Sequence, residues 1–248
     1  MKVLLVGLCG HMGQNVIDVI NTGKFDCELV AGVDPFAKGD ECVPCATSFA
    51  DAKTDVDIIV DFSHHSMTVD MCNFAVANGL PLLIATTGQT EDELAAISEA
   101  AKSVPVFFAG NYSIGIALLC EMAKKTAAVF PDANIEIVET HHNRKIDAPS
   151  GTALALFNAI KESRPNATAN MGRSGQMKRT EDEIGIQSIR LGNIVGIHEV
   201  IIGTSAETIT LKHEAHSRAL FAEGALVAAK FLVSKPAGLY KMTDMVKF

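Results

Sequence analysis

Short apolar runs recur through the first 110 residues, and each ends in a polar or glycine-rich turn. The runs lie at 2–6, 27–33, 56–60, 80–85 and 104–109. Their length and lack of alternation are typical of strands buried on both faces of a sheet. Between them, helical spacing of apolar residues predicts helices at 14–20, 69–79 and 90–103. This alternation predicts an α/β fold with a doubly wound parallel sheet and a ligand crevice at the carboxyl ends of its strands.

The pattern changes after a long helix predicted over 113–130. Strand-like runs then dominate, at 135–138, 186–191, 198–203 and 207–215, with helices at 153–163 and 217–232 and a Gly/Pro/Asn-rich segment at 162–176. These runs predict a second, α+β domain that carries an open mixed sheet. We place this domain at 113–218 and assign 1–112 together with 219–248 to the first domain, because the last helix could dock back there.

A glycine-rich turn follows the first strand. Gly7, Gly10 and Gly13 are spaced G-x-x-G-x-x-G, and Asp34 ends the second strand 21 positions after Gly13. Glycines let the backbone approach a pyrophosphate, the helix N-terminus favours its charge, and a carboxylate about 20 residues further on can bind the ribose hydroxyls. The first domain is therefore predicted to be a Rossmann-like dinucleotide-binding domain.

Composition narrows the function classes. A formal net charge of −8 argues against a nucleic-acid binder, which would carry a basic patch. No run of about 18 apolar residues predicts a membrane span, and the short apolar N-terminus is unlike a signal peptide, so we expect a cytoplasmic protein. The 6 cysteines are scattered, and the single C-x-x-C pair, Cys42 and Cys45, lacks the second pair or nearby histidines of a zinc site.

The densest chemistry lies between Glu136 and Ala153, EIVETHHNRKIDAPSGTA. Adjacent imidazoles, His141 and His142, follow a predicted strand, and Lys145 precedes a helix that Ser150 is placed to cap. A helix N-terminus beside a cation favours an anion, so a carboxylate-bearing substrate is the natural expectation. The same residue types are also typical of exposed surface charge and of capped strand ends that have no catalytic role.

Three later histidines raise the question of a metal site, but their spacing does not support one. His213 and His216 are one residue short of the H-E-x-x-H helical spacing, and on a strand their side chains would face opposite ways. For these two and for His198 we expect surface or packing roles, and we predict no metal.

With these motifs placed, the chain resembles the 4-hydroxy-tetrahydrodipicolinate reductases, also called dihydrodipicolinate reductases, over nearly its whole length. The most specific match is E-x-x-E-x-H-H-x-x-K-x-D-A-P-S-G-T-A at 136–153. Further matches are Gly7-Gly10-Gly13, Asp61-Phe62-Ser63, Thr86-Thr87-Gly88, Gly172-Arg173-Ser174-Gly175, Ser217-Arg218, Phe221-Ala222 and Gly224-Ala225. The resemblance implies reduction of a cyclic imine dicarboxylate by NADH or NADPH in lysine and diaminopimelate biosynthesis, by a homotetramer assembled through the second domain, which would also bind the substrate.

The resemblance also implies residue roles. His141 would exchange a proton with the substrate, Lys145 would donate one and bind the substrate, and His142, Gly151 and Thr152 would bind it. The candidate cofactor-binding residues are Gly7, Leu8, Cys9, Gly10, His11, Met12, Asp34, Lys38, Ala85, Thr86, Thr87, Ala109, Gly110, Asn111 and Tyr112.

Four positions depart from the family pattern. Ala85 replaces a Gly, Gly110 a Pro, and Ile197 an acidic residue. Pro35 follows Asp34 where some members have an Arg that meets the 2′-phosphate of NADPH, although Lys38 is near in sequence. We therefore expect NADH to serve at least as well as NADPH.

Two alternatives remain at this stage. Another amino-acid-pathway dehydrogenase acting on an imine or a semialdehyde would fit the first domain but leaves the 136–153 motif unexplained. A catalytically silent NAD(P)-binding regulator or assembly subunit would bind the nucleotide without turnover.

Overall fold

The computed structural model describes residues 1–246 and divides the chain into two compact units. One unit contains Met1–Tyr112 and the chain from Ala219 onward, and the other contains Ser113–Arg218. Residues 247 and 248, at the end of the predicted first domain, lie outside the described part.

The first unit is the predicted doubly wound sheet. Its elements, numbered along the chain, are β1 Lys2–Val6, α1 His11–Asn21, β2 Glu28–Val33, β3 Cys45–Ala46, β4 Ile58–Asp61, α2 Thr68–Asn78, β5 Leu82–Ile84, α3 Glu91–Ala100, β6 Pro105–Phe108, α6 Ala219–Leu232 and β12 Gly238–Tyr240. The strands are parallel in the order β12-β6-β5-β4-β1-β2-β3. Chain order reverses between β1 and β4, which is where a ligand crevice is expected.

Burial explains why these runs form strands. Residues Val3 to Val6 of β1 and Ile58 to Val60 of β4 are fully buried, as central strands covered on both faces must be. The edge strands β3 and β12 were not predicted, because two or three partly exposed residues create no hydrophobic pattern.

The second unit has a mixed sheet with helices against it. Its elements are α4 Ile114–Val129, β7 Asn134–His141, α5 Gly151–Ser163, β8 Thr168–Met171, β9 Glu183–Arg190, β10 Gly196–Gly203 and β11 Thr208–Ala215. The strand order is β11-β10-β7-β9-β8, with β10 antiparallel to both neighbours and β7, β9 and β8 parallel. The α+β prediction with an open mixed sheet is confirmed.

The core of this unit lies between the sheet and helices α4 and α5. Ile135 and Ile137 of β7 are buried against Leu156 and Ile160 of α5, while the alternate residues of β7 are only half-buried. One strand, β8, falls within the 162–176 segment that was predicted to be irregular. Its four residues are mostly exposed at the sheet edge, so they carry no apolar signal.

Two features of residues 1–246 bear on membranes and metals. None of the helices there combines the length and apolar character needed to cross a bilayer. Nor do three or more His, Cys, Asp or Glu side chains of this described range gather into a group that could hold a metal ion.

Candidate functional site

The glycine turn after β1 brings three backbone segments together. Gly7 has φ of 81°, and a Cβ placed there would lie 2.5 Å from the carbonyl oxygen of Phe62. A Cβ on Gly13 would lie 2.2 Å from the carbonyl oxygen of Gly7. Both positions therefore require glycine. Because the backbone segments approach so closely, helix α1 begins directly at the turn.

Helix α1 presents an uncapped N-terminus to this turn. Gly10 is its N-cap and supplies no side chain to the first-turn N–H groups, so these groups can bind an anion. The close-packed glycines and this helix start together fit the pyrophosphate of a dinucleotide.

Asp34 is fixed at the end of β2, beside the turn. Its side chain is buried, and its two carboxylate oxygens each accept a 2.9 Å hydrogen bond, from the backbone N–H groups of Cys9 and Phe36. A cavity of about 670 Å³ opens next to it. The lining residues are Gly7, Cys9, Gly10, Asp34, Pro35, Phe36, Phe62, Ser63, His64, Ser66 and Met67.

A second cavity, of about 230 Å³, shares part of this wall. Its lining residues are Met12, Phe62, Ser63, His64, His65, Ala85, Thr86 and Thr87. The two cavities thus collect eight of the predicted cofactor-binding residues at the carboxyl ends of β1, β2, β4 and β5. Sequence reasoning assigned no role to Phe36, His64, His65, Ser66 and Met67, which lie in the turns that follow β2 and β4.

Other predicted cofactor residues lie elsewhere. The side chains of Leu8 and Tyr112 are in the core, where the Tyr112 hydroxyl donates to the carbonyl of Ile84 at 2.9 Å. Lys38 is exposed, and its backbone N–H donates to Glu41. His11 is exposed at the start of α1, and 109–111 follow the end of β6 without lining either cavity.

A buried carboxylate organises the histidine loop of the second unit. The alternation along β7 turns Glu139 toward the helix-covered face, where it is 0% exposed. Arg190 of β9 binds both of its oxygens through Nη1 and Nη2 at 2.9 Å each. Burial raises the pKa of Glu139, but the hydrogen bonds from Arg190 and His141 outweigh it and hold the pKa at about 2.

His141 is the last residue of β7 and shares the face of Glu139. Its Nδ1 lies 2.5 Å from Oε2 of Glu139, and its ring packs edge-on against that of His198, with centroids 5.0 Å apart. His198 stands directly opposite Glu139 on β10, and its Nε2 is 3.2 Å from the Ser150 hydroxyl. Burial, reinforced by positively charged neighbours, lowers the pKa of His198 to about 3, so this ring is neutral.

Lys145 is held beside the same cluster. Its Nζ lies 2.8 Å from a carboxylate oxygen of Asp147, and this hydrogen bond lowers the pKa of Asp147. The carbonyl oxygen of Asp147 accepts a 2.6 Å hydrogen bond from Nη2 of Arg190. Arg190 therefore connects the loop that carries Lys145 to the carboxylate that binds His141.

His142 and the start of α5 complete the loop. Nε2 of His142 lies 3.5 Å from Nη2 of Arg218, and desolvation together with the charges of Arg144 and Arg218 lowers its pKa. Ser150 caps α5, its hydroxyl accepting from the Ala153 N–H at 3.2 Å. Gly151 is exposed at the first position of that helix.

The five predicted substrate-site residues, His141, His142, Lys145, Gly151 and Thr152, lie between the end of β7 and the first turn of α5. Sequence reasoning assigned no role to Glu139, Asp147, Arg190 and Arg218. Glu139 belongs to the E-x-x-E motif, whereas Arg190 offers no local signal because it lies 51 positions from its partner.

Comparison with known proteins gives one consistent answer. Residues 1–112 match the family model for the N-terminus of dihydrodipicolinate reductase, and residues 115–246 match the model for its C-terminus. The 4-hydroxy-tetrahydrodipicolinate reductase of Clostridium novyi is 41% identical over 99% of this chain and 98% of its own. That of Alkaliphilus metalliredigens is 42% identical over 99% of both chains.

Solved structures agree. A dihydrodipicolinate reductase from Paenisporosarcina sp. TG-14, solved with dipicolinate bound, superposes with a TM-score of 0.82 at 25% identity over 99% of both chains. An amine dehydrogenase from Mycobacterium smegmatis shares the fold alone, with a TM-score of 0.66 at 11% identity over 98% of this chain and 95% of its own. The chain belongs to the dihydrodipicolinate reductase family, a family of pyridine-nucleotide-dependent reductases.

Proposed function

We propose that this protein reduces the cyclic imine dicarboxylate derived from 4-hydroxy-tetrahydrodipicolinate to tetrahydrodipicolinate, in lysine and diaminopimelate biosynthesis. The observation that carries the proposal is the buried Glu139–His141 pair at the end of β7, which is followed by the loop of Lys145 and the start of α5. This arrangement offers a proton carrier, a cation and an anion-binding helix end on one segment.

Each group has a task in that reaction. A bound reduced nicotinamide supplies the hydride. His141 holds a proton for the negative charge that reduction leaves on the substrate. Lys145 binds a carboxylate or donates a proton, and Gly151 and Thr152 at the first turn of α5 bind a carboxylate through backbone and side-chain donors. His142, kept uncharged at neutral pH by its lowered pKa, binds the substrate as a neutral partner.

The larger cavity of the first unit favours NADH. Asp34 is its one carboxylate, and neither Lys nor Arg belongs to the lining found among residues 1–246. A ribose hydroxyl can donate to Asp34, whereas the 2′-phosphate of NADPH would meet this carboxylate without a cation beside it. The exposed Lys38, in the loop after β2, is the cation that the sequence offers to offset that repulsion.

The sheet of the second unit suggests how the enzyme assembles. Its face away from α4 and α5 presents Val138 of β7 with Ile197 and Ile201 of β10, all only half-buried. Apolar side chains on an open sheet face favour contact with another copy, and we propose a homotetramer formed through this sheet. We expect it in the cytoplasm.

The test is a coupled assay that generates the substrate from pyruvate and aspartate semialdehyde with a purified synthase. Loss of NADH and of NADPH is followed separately, and we expect turnover with a kcat/KM for NADH at least equal to that for NADPH. Binding of both nucleotides without turnover would instead identify a silent nucleotide-binding protein. Turnover with another imine or semialdehyde but not with this substrate would move the chain to a different dehydrogenase class.

A further inference from the structure

One carboxylate contacts three parts of the candidate site at once. Glu139 binds the imidazole of His141, the guanidinium of Arg190 and the backbone N–H of Ser150, which caps α5. We propose that Glu139 is a positioning residue: it fixes His141 with its hydrogen on Nδ1, so that Nε2 is the atom that exchanges the proton, and it anchors the start of α5. The catalytic part rests on the proposed reductase function, while the tautomer itself does not.

The hydrogen-bond inventory determines the tautomer. An ionised carboxylate can only accept, and it has about four lone-pair sites. Oε1 accepts from Arg190 Nη2 at 2.9 Å and from the Ser150 N–H at 3.1 Å, and Oε2 accepts from Arg190 Nη1 at 2.9 Å. The Ser188 hydroxyl on β9 also hydrogen-bonds to this carboxylate. Because the ionised group can only accept, Nδ1 of His141, at 2.5 Å from Oε2, must be the donor. In the neutral ring, the lone pair then lies on Nε2.

Arg190 ensures that Glu139 stays ionised. The guanidinium binds the carboxylate in a two-pronged geometry and also donates to the carbonyl oxygens of Asp147 and Ile189. A guanidinium does not lose its proton in proteins, so its charge is permanent. Glu139 therefore does not compete with the substrate for the proton of His141.

A glycine preserves space around the other ring nitrogen. A Cβ at Gly196 of β10 would lie 3.1 Å from Nε2 of His141 and 3.4 Å from its Cδ2. Such a contact is tighter than ordinary van der Waals packing, so a methyl group there would press on the nitrogen that we assign to proton exchange. His198 supports the ring on another side through its edge-on contact.

The first experiment measures the tautomer directly. Long-range ¹H–¹⁵N correlation spectra of protein labelled at histidine distinguish the two neutral forms, and loss of one signal set in His141→Gln assigns His141. We expect hydrogen on Nδ1 in the wild type. Glu139→Gln alone would leave the Arg190 charge buried without its partner, so the double variant Glu139→Gln/Arg190→Gln removes both charges together.

In the double variant, the amide can donate to Nδ1 as well as accept, so we expect a mixture of tautomers or a shift to hydrogen on Nε2. With nucleotide affinity retained, kcat should fall about 100-fold or more, as expected when an acid–base residue loses its orientation. A wild-type ring with hydrogen on Nε2 would overturn the proposal. An unchanged tautomer with unchanged kcat in a folded double variant would overturn it as well.

A second pair of variants tests the role of Nε2 without touching a charge. Gly196→Ala should lower kcat about 10-fold or more while the Kd for NADH stays at its wild-type value. The matched control is Gly203→Ala on the same strand, where the new Cβ would meet only Thr208 Oγ1 at 3.9 Å. Equal kinetics for both variants would contradict the assignment of Nε2.

The two proposals can fail separately. If the wild type shows no turnover in the coupled assay, the reductase function fails, yet the spectra still report whether Glu139 sets the tautomer of His141. If the wild type is active and the double variant keeps both tautomer and kcat, the role of Glu139 fails and the function stands.

Discussion

The glycine turn of the first unit and the histidine loop of the second are built by opposite means. The turn depends on missing side chains, since a Cβ on Gly7 or Gly13 would lie 2.5 Å or less from a carbonyl oxygen. The loop depends on buried charges, since Glu139 is 0% exposed and relies on Arg190 to remain ionised. The first region should therefore be sensitive to added atoms, and the second to removed charges.

Removal of a charge from the loop should give the largest effect. Lys145→Ala deletes the cation paired with Asp147, and we expect kcat/KM to fall about 100- to 1,000-fold, as when one transition-state hydrogen-bond donor is lost. Steady-state kinetics in the coupled assay measure this. Lys161→Ala, in the last turn of α5, is the matched control and should stay near wild type. If kcat and KM of a folded Lys145→Ala protein both match the wild type, Lys145 has no role in the reaction.

Addition of one atom to the turn should be nearly as damaging. Gly13→Ala places a Cβ 2.2 Å from the Gly7 carbonyl oxygen, so α1 must move away from the turn at a cost of about 1–3 kcal/mol. We expect the Kd for NADH to rise about 100-fold, measured by calorimetry, and the Tm to fall. Asp18→Ala, exposed on the same helix, is the control. Unchanged affinity would mean that the glycine turn does not bind the nucleotide.

Lowering the pH should weaken the histidine loop, because this region depends on a buried ionised carboxylate. The pKa of Glu139 is about 2 in place of its ordinary 4.5. A carboxyl group whose pKa is lowered on folding stabilises the protein above its unfolded pKa, and this contribution disappears as the pH falls from about 4.5 to about 2. Its full size is about 3 kcal/mol, from roughly 1.36 kcal/mol per pKa unit.

Urea unfolding followed by circular dichroism at pH 7, 5, 4 and 3 measures this loss. The variant Glu139→Gln/Arg190→Gln lacks the titrating group and should lose less free energy of unfolding over the same interval. Parallel pH dependence in the variant and the wild type would show that the buried pair does not contribute. Comparing the two proteins cancels carboxyl groups with a lowered pKa that do not depend on Arg190, such as that of Glu93.

The same contrast explains what the sequence could predict. The glycine turn, the strand ends and the His141–Lys145 segment are local patterns, and the structure places most of them where expected. Arg190 could not be assigned, because its role arises only when β9 pairs with β7 in parallel and brings it opposite His141. Similarly, Tyr112 follows a predicted strand end, but only tertiary packing shows that its side chain points into the core.

The smallest expected effect concerns a residue that the sequence did not single out. Phe36 lines the larger cavity two positions after Asp34, yet it is 80% exposed. An exposed aromatic ring beside Asp34, which we propose to bind the ribose, offers a stacking surface for the adenine, which is worth about 1–3 kcal/mol per base. We expect Phe36→Ala to raise the Kd for NADH about 10-fold and Phe36→Tyr to leave it near wild type. Reduced nicotinamide mononucleotide, which lacks the adenine, should bind equally well to all three proteins. A matching loss of affinity for the mononucleotide would mean that the substitution distorts the Asp34 turn rather than removing a stacking partner.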